Sequence, residues 1–127
     1  MKAVISKNEH YIRVDLSGHI SYESLDELKQ ICHSQFKESR LVFNLENLKF
    51  VGSSGITDFV GLLKSVEPQR LHICSAQPEF YRVFESQSLQ ASSFHNSSLE
   101  AHNHIESMRH IHGQLDIPTD FISSNND

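Results

Sequence analysis

Residues 41–63 change hydrophobic period once, and that change dictates a strand, a short loop and a helix in direct succession. Leu41-Val42-Phe43 is a continuous apolar run, as in a strand covered on both faces. The predicted strand is 41–45. From Gly55 onward Ile56, Phe59, Val60 and Leu63 recur on one helical face. Between the two segments stands Gly52-Ser53-Ser54-Gly55. A serine oxygen can accept a hydrogen bond from a free first-turn N–H and so cap a helix. Glycine has no Cβ, so Gly52 and Gly55 let another molecule approach the backbone. Paired hydroxyls at a helix start also mark a place where an anion is tolerated.

The rest of the chain alternates in the same way. A strand over 1–6 and a clearer one over 10–17 form a predicted hairpin, with Ile12, Val14 and Leu16 on one face and Tyr11, Arg13 and Asp15 on the other. Gly18 relieves the backbone before a helix over 22–36, with Ser21 as its N-cap and Leu25, Leu28, Cys32 and Phe36 as its buried stripe. Pro68 sets the end of the second helix near Val66. Leu71 to Cys74 reads as a strand, and Pro78 opens a third helix that buries Tyr81, Phe84 and Val83. A short edge strand follows over 91–94. Ser97 and Glu100 have capping-box spacing and open a fourth helix, with Ala101, Ile105 and Met108 inward and Gly113 at its end. Residues 113–127 read as a flexible acidic tail and 1–112 as one domain. The fold class is α/β: a small mixed sheet of four to five strands packed against about four helices.

This pattern resembles the sulfate-transporter and anti-sigma-factor-antagonist (STAS) domain. The resemblance is carried by Asn44-Leu45-Glu46-Asn47-Leu48-Lys49-Phe50-Val51-Gly52-Ser53-Ser54-Gly55-Ile56, in register with Leu16-Ser17-Gly18-His19-Ile20. It spans about residues 8–112. It implies a protein-binding module rather than an enzyme: an anti-sigma factor antagonist in a partner switch, with no cofactor. Ser54, immediately before the glycine, matches the position that a partner kinase phosphorylates; Ser53 is the second candidate. The implied partner-binding residues are Gly52, Ser53, Ser54, Gly55, Thr57, Asp58 and Gly61. The implied partners are an anti-sigma factor serine kinase with a histidine-kinase-like ATPase fold, and a phosphatase. Gly52 departs from the family, which usually carries an aspartate there. Other stand-alone members stabilise a transporter ATPase or join a stress-signalling scaffold, and the departure at Gly52 suits that alternative.

Composition removes several other classes. A formal charge of −5 over 127 residues argues against a surface built for nucleic acid. There is no apolar run of membrane-spanning length and no signal-peptide pattern at the start, so a cytoplasmic protein without membrane insertion is expected. Cys32 and Cys74 do not form a Cys-x-x-Cys pair and read as reduced, buried residues. Ile56 stands where a nucleophile elbow needs its last glycine, and no phosphate-loop sequence is present. Of nine histidines, His95, His102, His104, His110 and His112 crowd the C-terminal third. Along a helix, however, His102/His104 and His110/His112 diverge by about 200°. The spacings of strong zinc motifs are missing, so the linear pattern assigns no metal ligands.

Overall fold

The computed structural model describes residues 1–49 and 55–116, with side chains as far as residue 108. The strands are β1 (Lys2–Lys7), β2 (Ile12–His19), β3 (Leu41–Lys49), β4 (Leu71–Cys74) and β5 (Ser93–His95). The helices are α1 (Tyr22–Ser34), α2 (Ile56–Lys64), α3 (Pro78–Ser86) and α4 (Ser98–Asp116). The sheet order follows the sequence, β1 to β5. β1 runs antiparallel to β2, and every other pairing is parallel. This is the mixed sheet expected from a hairpin followed by strand–helix–strand units.

Period-two alternation divides the sheet between two cores. Ile12, Val14 and Leu16 of β2, Leu41, Phe43 and Leu45 of β3, and Leu71 and Ile73 of β4 face the apolar stripes of α1, α2 and α3. Tyr11, Val42 and Cys74 join a smaller cluster with Ala101 and Ile105 of α4. α4 thus covers the opposite face, and its seat is largely polar. Asn44 donates to Asp15 at 2.7 Å, and the Tyr11 hydroxyl lies 2.8 Å from His102 Nδ1. Burial pushes the Cys32 and Cys74 thiols up to about 11, so both stay protonated at neutral pH.

β3 outlasts its expected end at Leu45 by four residues, reaching Lys49. Its register against β2 jumps from Asp15↔Asn44 to Ser17↔Asn47. A bulge of this kind adds a residue to one strand and resets its phase. Leu45 and Leu48 therefore both point inward, three residues apart, while Glu46 and Asn47 are exposed. Other boundaries also move. α1 closes at Ser34, and Ser21 Oγ donates to Ser24 Oγ rather than capping the backbone. In α3 the deepest side chains are Phe80 and Phe84; Tyr81 and Val83 are only half-buried. Gly113 does not end α4, which continues to Asp116. A glycine inside a helix costs only about 1 kcal/mol, whereas Pro118 disfavours helical geometry at the residue before it. Gly18 has φ +82° and so performs its expected role at the end of β2. Ser97 Oγ accepts from the Glu100 N–H at 3.1 Å, while the Glu100 carboxylate reaches the Asn96 N–H, one residue beyond a standard capping box.

His72 of β4 is fully buried beneath α4. Burial, with Arg40, His104 and His95 nearby, lowers its pKa to about 3. The unfolded chain takes up a proton below about pH 6.5, while the folded chain does so only near pH 3, so stability falls as pH falls through that interval. Burial lowers His95 as well, in the same direction. In chelator-treated protein, the urea midpoint is expected to record a loss of about 2 kcal/mol between pH 7 and pH 5. His72→Leu should flatten that slope; an unchanged slope would place the acid sensitivity elsewhere.

Candidate functional site

α2 follows directly from the Gly52–Gly55 stretch. Gly52, Ser53 and Ser54 lie outside the described residues. Gly55 occupies the α2 N-cap position, so the capping role considered for the serines falls to a residue without a side chain. The Gly55 carbonyl accepts the first helical bond, from the Phe59 N–H at 3.0 Å.

The helix is almost wholly apolar on its inner side. Ile56, Phe59, Val60, Leu62 and Leu63 are buried. Thr57, Asp58, Gly61 and Lys64 are exposed. Their spacing places Thr57, Gly61 and Lys64 in one row along the outer face, with Asp58 beside it. Asp58 in the first turn and Lys64 in the last suit the helix dipole. A Cβ added at Gly61 meets nothing within 4 Å, so the middle of this face is a shallow depression in the row.

Gly55 has a different environment. It is half-buried, and an added Cβ would lie 3.0 Å from Ile20 Cγ2. That is close enough to force Ile20 to shift. Gly55 thus brings the start of α2 against the β2–α1 connection, and its role includes packing as well as any contact with a partner. This approach adds Ile20, which the linear pattern does not single out, to the surroundings of Gly55. Lys64, one turn beyond Gly61, extends the exposed row past the residues that the resemblance implies.

The structure therefore brings together Thr57, Asp58 and Gly61 on one outer face, with Gly55 at its edge. The side chains are short or small, as suits close docking of another surface.

The STAS domain pattern matches residues 2–108. The chain belongs to the STAS-domain family. No curated protein sequence matches it. Among solved structures it is similar to the anti-sigma factor antagonist SpoIIAA in its unphosphorylated form, with TM-score 0.64 and 18% identity, covering 84% of this chain and 97% of that one. The phosphorylated form of SpoIIAA, a Bacillus cell fate determinant, gives TM-score 0.63 and 18% identity, with 82% and 99% covered. An anti-sigma factor antagonist from Mycobacterium paratuberculosis gives TM-score 0.62 and 16% identity, with 83% and 93% covered. At these identities the likeness establishes a shared fold. No helix among the described residues is long and apolar enough to cross a membrane.

Proposed function

We propose that this STAS protein is an anti-sigma factor antagonist, a cytoplasmic binding module whose docking surface is the Gly52–Gly55 loop with the outer face of α2. The observation that carries the reading is the placement of Thr57, Asp58 and Gly61 on one exposed face beginning directly after Ser54-Gly55. The similar structures support it, since their protein is described both without and with a phosphate. The unphosphorylated protein captures an anti-sigma factor kinase of the histidine-kinase-like ATPase class and so frees a sigma factor. Phosphorylation of Ser54 ends the capture, and a phosphatase restores it. A phosphate adds about −1.5 to −2 charges and three acceptor oxygens. At the start of a helix the dipole favours such a group, so the fold tolerates it. The partner surface, fitted to a neutral hydroxyl, must instead desolvate a dianion.

Affinity capture from host lysate, with wild type and Ser54→Asp compared, tests this. Wild type is expected to retain a kinase-like ATPase, and Ser54→Asp to retain about tenfold less, a difference near 1.4 kcal/mol. Gly52 favours a second reading, because the loop lacks the aspartate that a serine kinase of this class would meet. On that reading the protein stabilises a transporter ATPase or a signalling scaffold. Both baits would then recover the same transport or scaffold subunits, and the partner switch would be refuted.

A further inference from the structure

The polar layer beneath α4 contains a cluster unrelated to the docking face. His72 on β4, His95 on β5 and His104 on α4 each direct one ring nitrogen to a common region, and these three nitrogens lie within 4.8 Å of one another. His72 pairs with Ser93 across the β4–β5 ladder, and His95 follows two residues later on the same face. The His95 and His104 ring centroids are 5.0 Å apart, and those of His72 and His104 are 6.0 Å apart. Ser93 Oγ stands between His72 Nδ1 at 2.6 Å and His95 Nε2 at 2.7 Å. Two imidazoles thus aim at one point and a third closes over it from the helix.

We propose that His72, His95 and His104 form a three-histidine site for a divalent transition-metal ion such as Zn2+, with water in the fourth position. Imidazole nitrogen suits Zn2+, Co2+, Ni2+ and Cu2+. A tetrahedral ion bonded at about 2.0–2.1 Å separates its nitrogens by about 3.4 Å. The widest pair must therefore close by about 1.4 Å, and rotation of the half-buried His95 and His104 side chains supplies that movement. Ser93 turns its hydroxyl aside as the ion enters.

The ring proton of His72 has a place to go. Arg40 Nη1 donates to His72 Nε2 at 2.9 Å, which places the His72 proton on Nδ1. When the ion takes Nδ1, that proton moves to Nε2 and the ring stays neutral. Arg40, which can only donate, then loses its acceptor and relies on the Gln69 carbonyl, 3.3 Å from the same nitrogen. Its charge also opposes the cation. Burial favours the neutral form of His72 and His95, the form in which imidazole binds a metal. The role of the ion is to clamp α4 to β4 and β5, where few apolar contacts do so.

The linear pattern concealed this site because its ligands come from three elements. Of the His102/His104 pair only His104 takes part, and His102 turns to Tyr11.

The test uses the full chain, expressed without a histidine tag and stripped with chelator. Calorimetric titration with Zn2+ should show one ion per chain, and Co2+ should give the intense visible bands of tetrahedral coordination. His95→Ala and His104→Ala, each shown to be folded by circular dichroism, should weaken binding at least about tenfold, while the exposed His33→Ala should not. Arg40→Gln removes the opposing charge and offers His72 Nε2–H an acceptor, so it should tighten binding about tenfold. Absence of stoichiometric uptake by wild type, or equal uptake by His95→Ala and His104→Ala, overturns the proposal; weaker binding by Arg40→Gln overturns the tautomer account.

Discussion

Gly61→Arg is expected to fold at least as well as wild type and to lose about a hundredfold in affinity for the anti-sigma kinase proposed as its partner, near 2.7 kcal/mol. The two halves of this prediction have separate causes. Gly61 sits in the middle of α2, is exposed, and has open space where a Cβ would go. Arginine is a far better helix former than glycine, so the domain should gain about 0.5–1 kcal/mol, read as a higher urea midpoint. The same side chain projects from the centre of the row between Thr57 and Lys64. A partner surface that closes on that depression must move away or lose its contacts. Gly61→Ala is the matched control. It brings the same gain in helix propensity with a single methyl group, and capture should stay within about threefold of wild type. If Gly61→Arg binds the kinase as wild type does, the outer face of α2 is not the docking surface. Because both variants leave Ser54 in place, the outcome bears on the surface separately from the phosphorylation switch.

Most of the architecture was legible because it depends on local periodicity. β2 alternates cleanly, α2 is apolar at helical spacing, and Pro68 and Pro78 separate the elements near them. The failures arose where local pattern and spatial arrangement diverge. The end of β3 was obscured because a bulge converts the inward spacing from two residues to three, and Leu45 to Leu48 then no longer looks like a strand. The sequence of α3 allows a stripe phased on Tyr81, but the structure buries Phe80 and leaves Tyr81 half-buried beside Phe94 at a ring separation of 5.9 Å. Gly113 looks like a terminator, but continuing a helix through glycine costs too little to require an end there.

The candidate site divides along the same line. Thr57, Asp58 and Gly61 could be placed on one face because α2 is a regular helix whose inner residues are unmistakable. The packing role of Gly55 could not, since Ile20 reaches it from another part of the chain. The histidine cluster is the extreme case. Its geometry is set by the β4–β5 register and by the seating of α4, neither of which appears in the spacing of histidines along one helix. Composition showed that histidine was abundant, and only the topology showed which three converge.

Phe59→Ala should cost about 3–5 kcal/mol, the largest stability loss expected here from a single substitution. Phe59 is fully buried on the inner side of α2. Its ring lies 6.1 Å from that of Phe80 in an edge-to-face arrangement and 6.4 Å from that of Phe84. Truncation removes the transfer free energy of a phenyl group, leaves a cavity between α2 and α3, and ends two aromatic contacts. A domain of this size has about 5–15 kcal/mol in total, so the loss is about a fifth of it or more. The thermal midpoint should fall by roughly 10–20 °C. Phe94→Ala provides the comparison. That ring also lies near Phe84, at 6.3 Å, but it is 40% exposed at the sheet edge. It should cost clearly less than Phe59→Ala, because a large part of its surface stays in water on folding. If the two variants cost the same, the packing of α2 on α3 is not what holds that helix in place. Phe59 and Gly61 lie on opposite sides of α2, so the pair also separates fold from function. Loss of Phe59 should reduce capture only as the domain begins to melt, whereas Gly61→Arg should reduce it at every temperature at which the protein is folded.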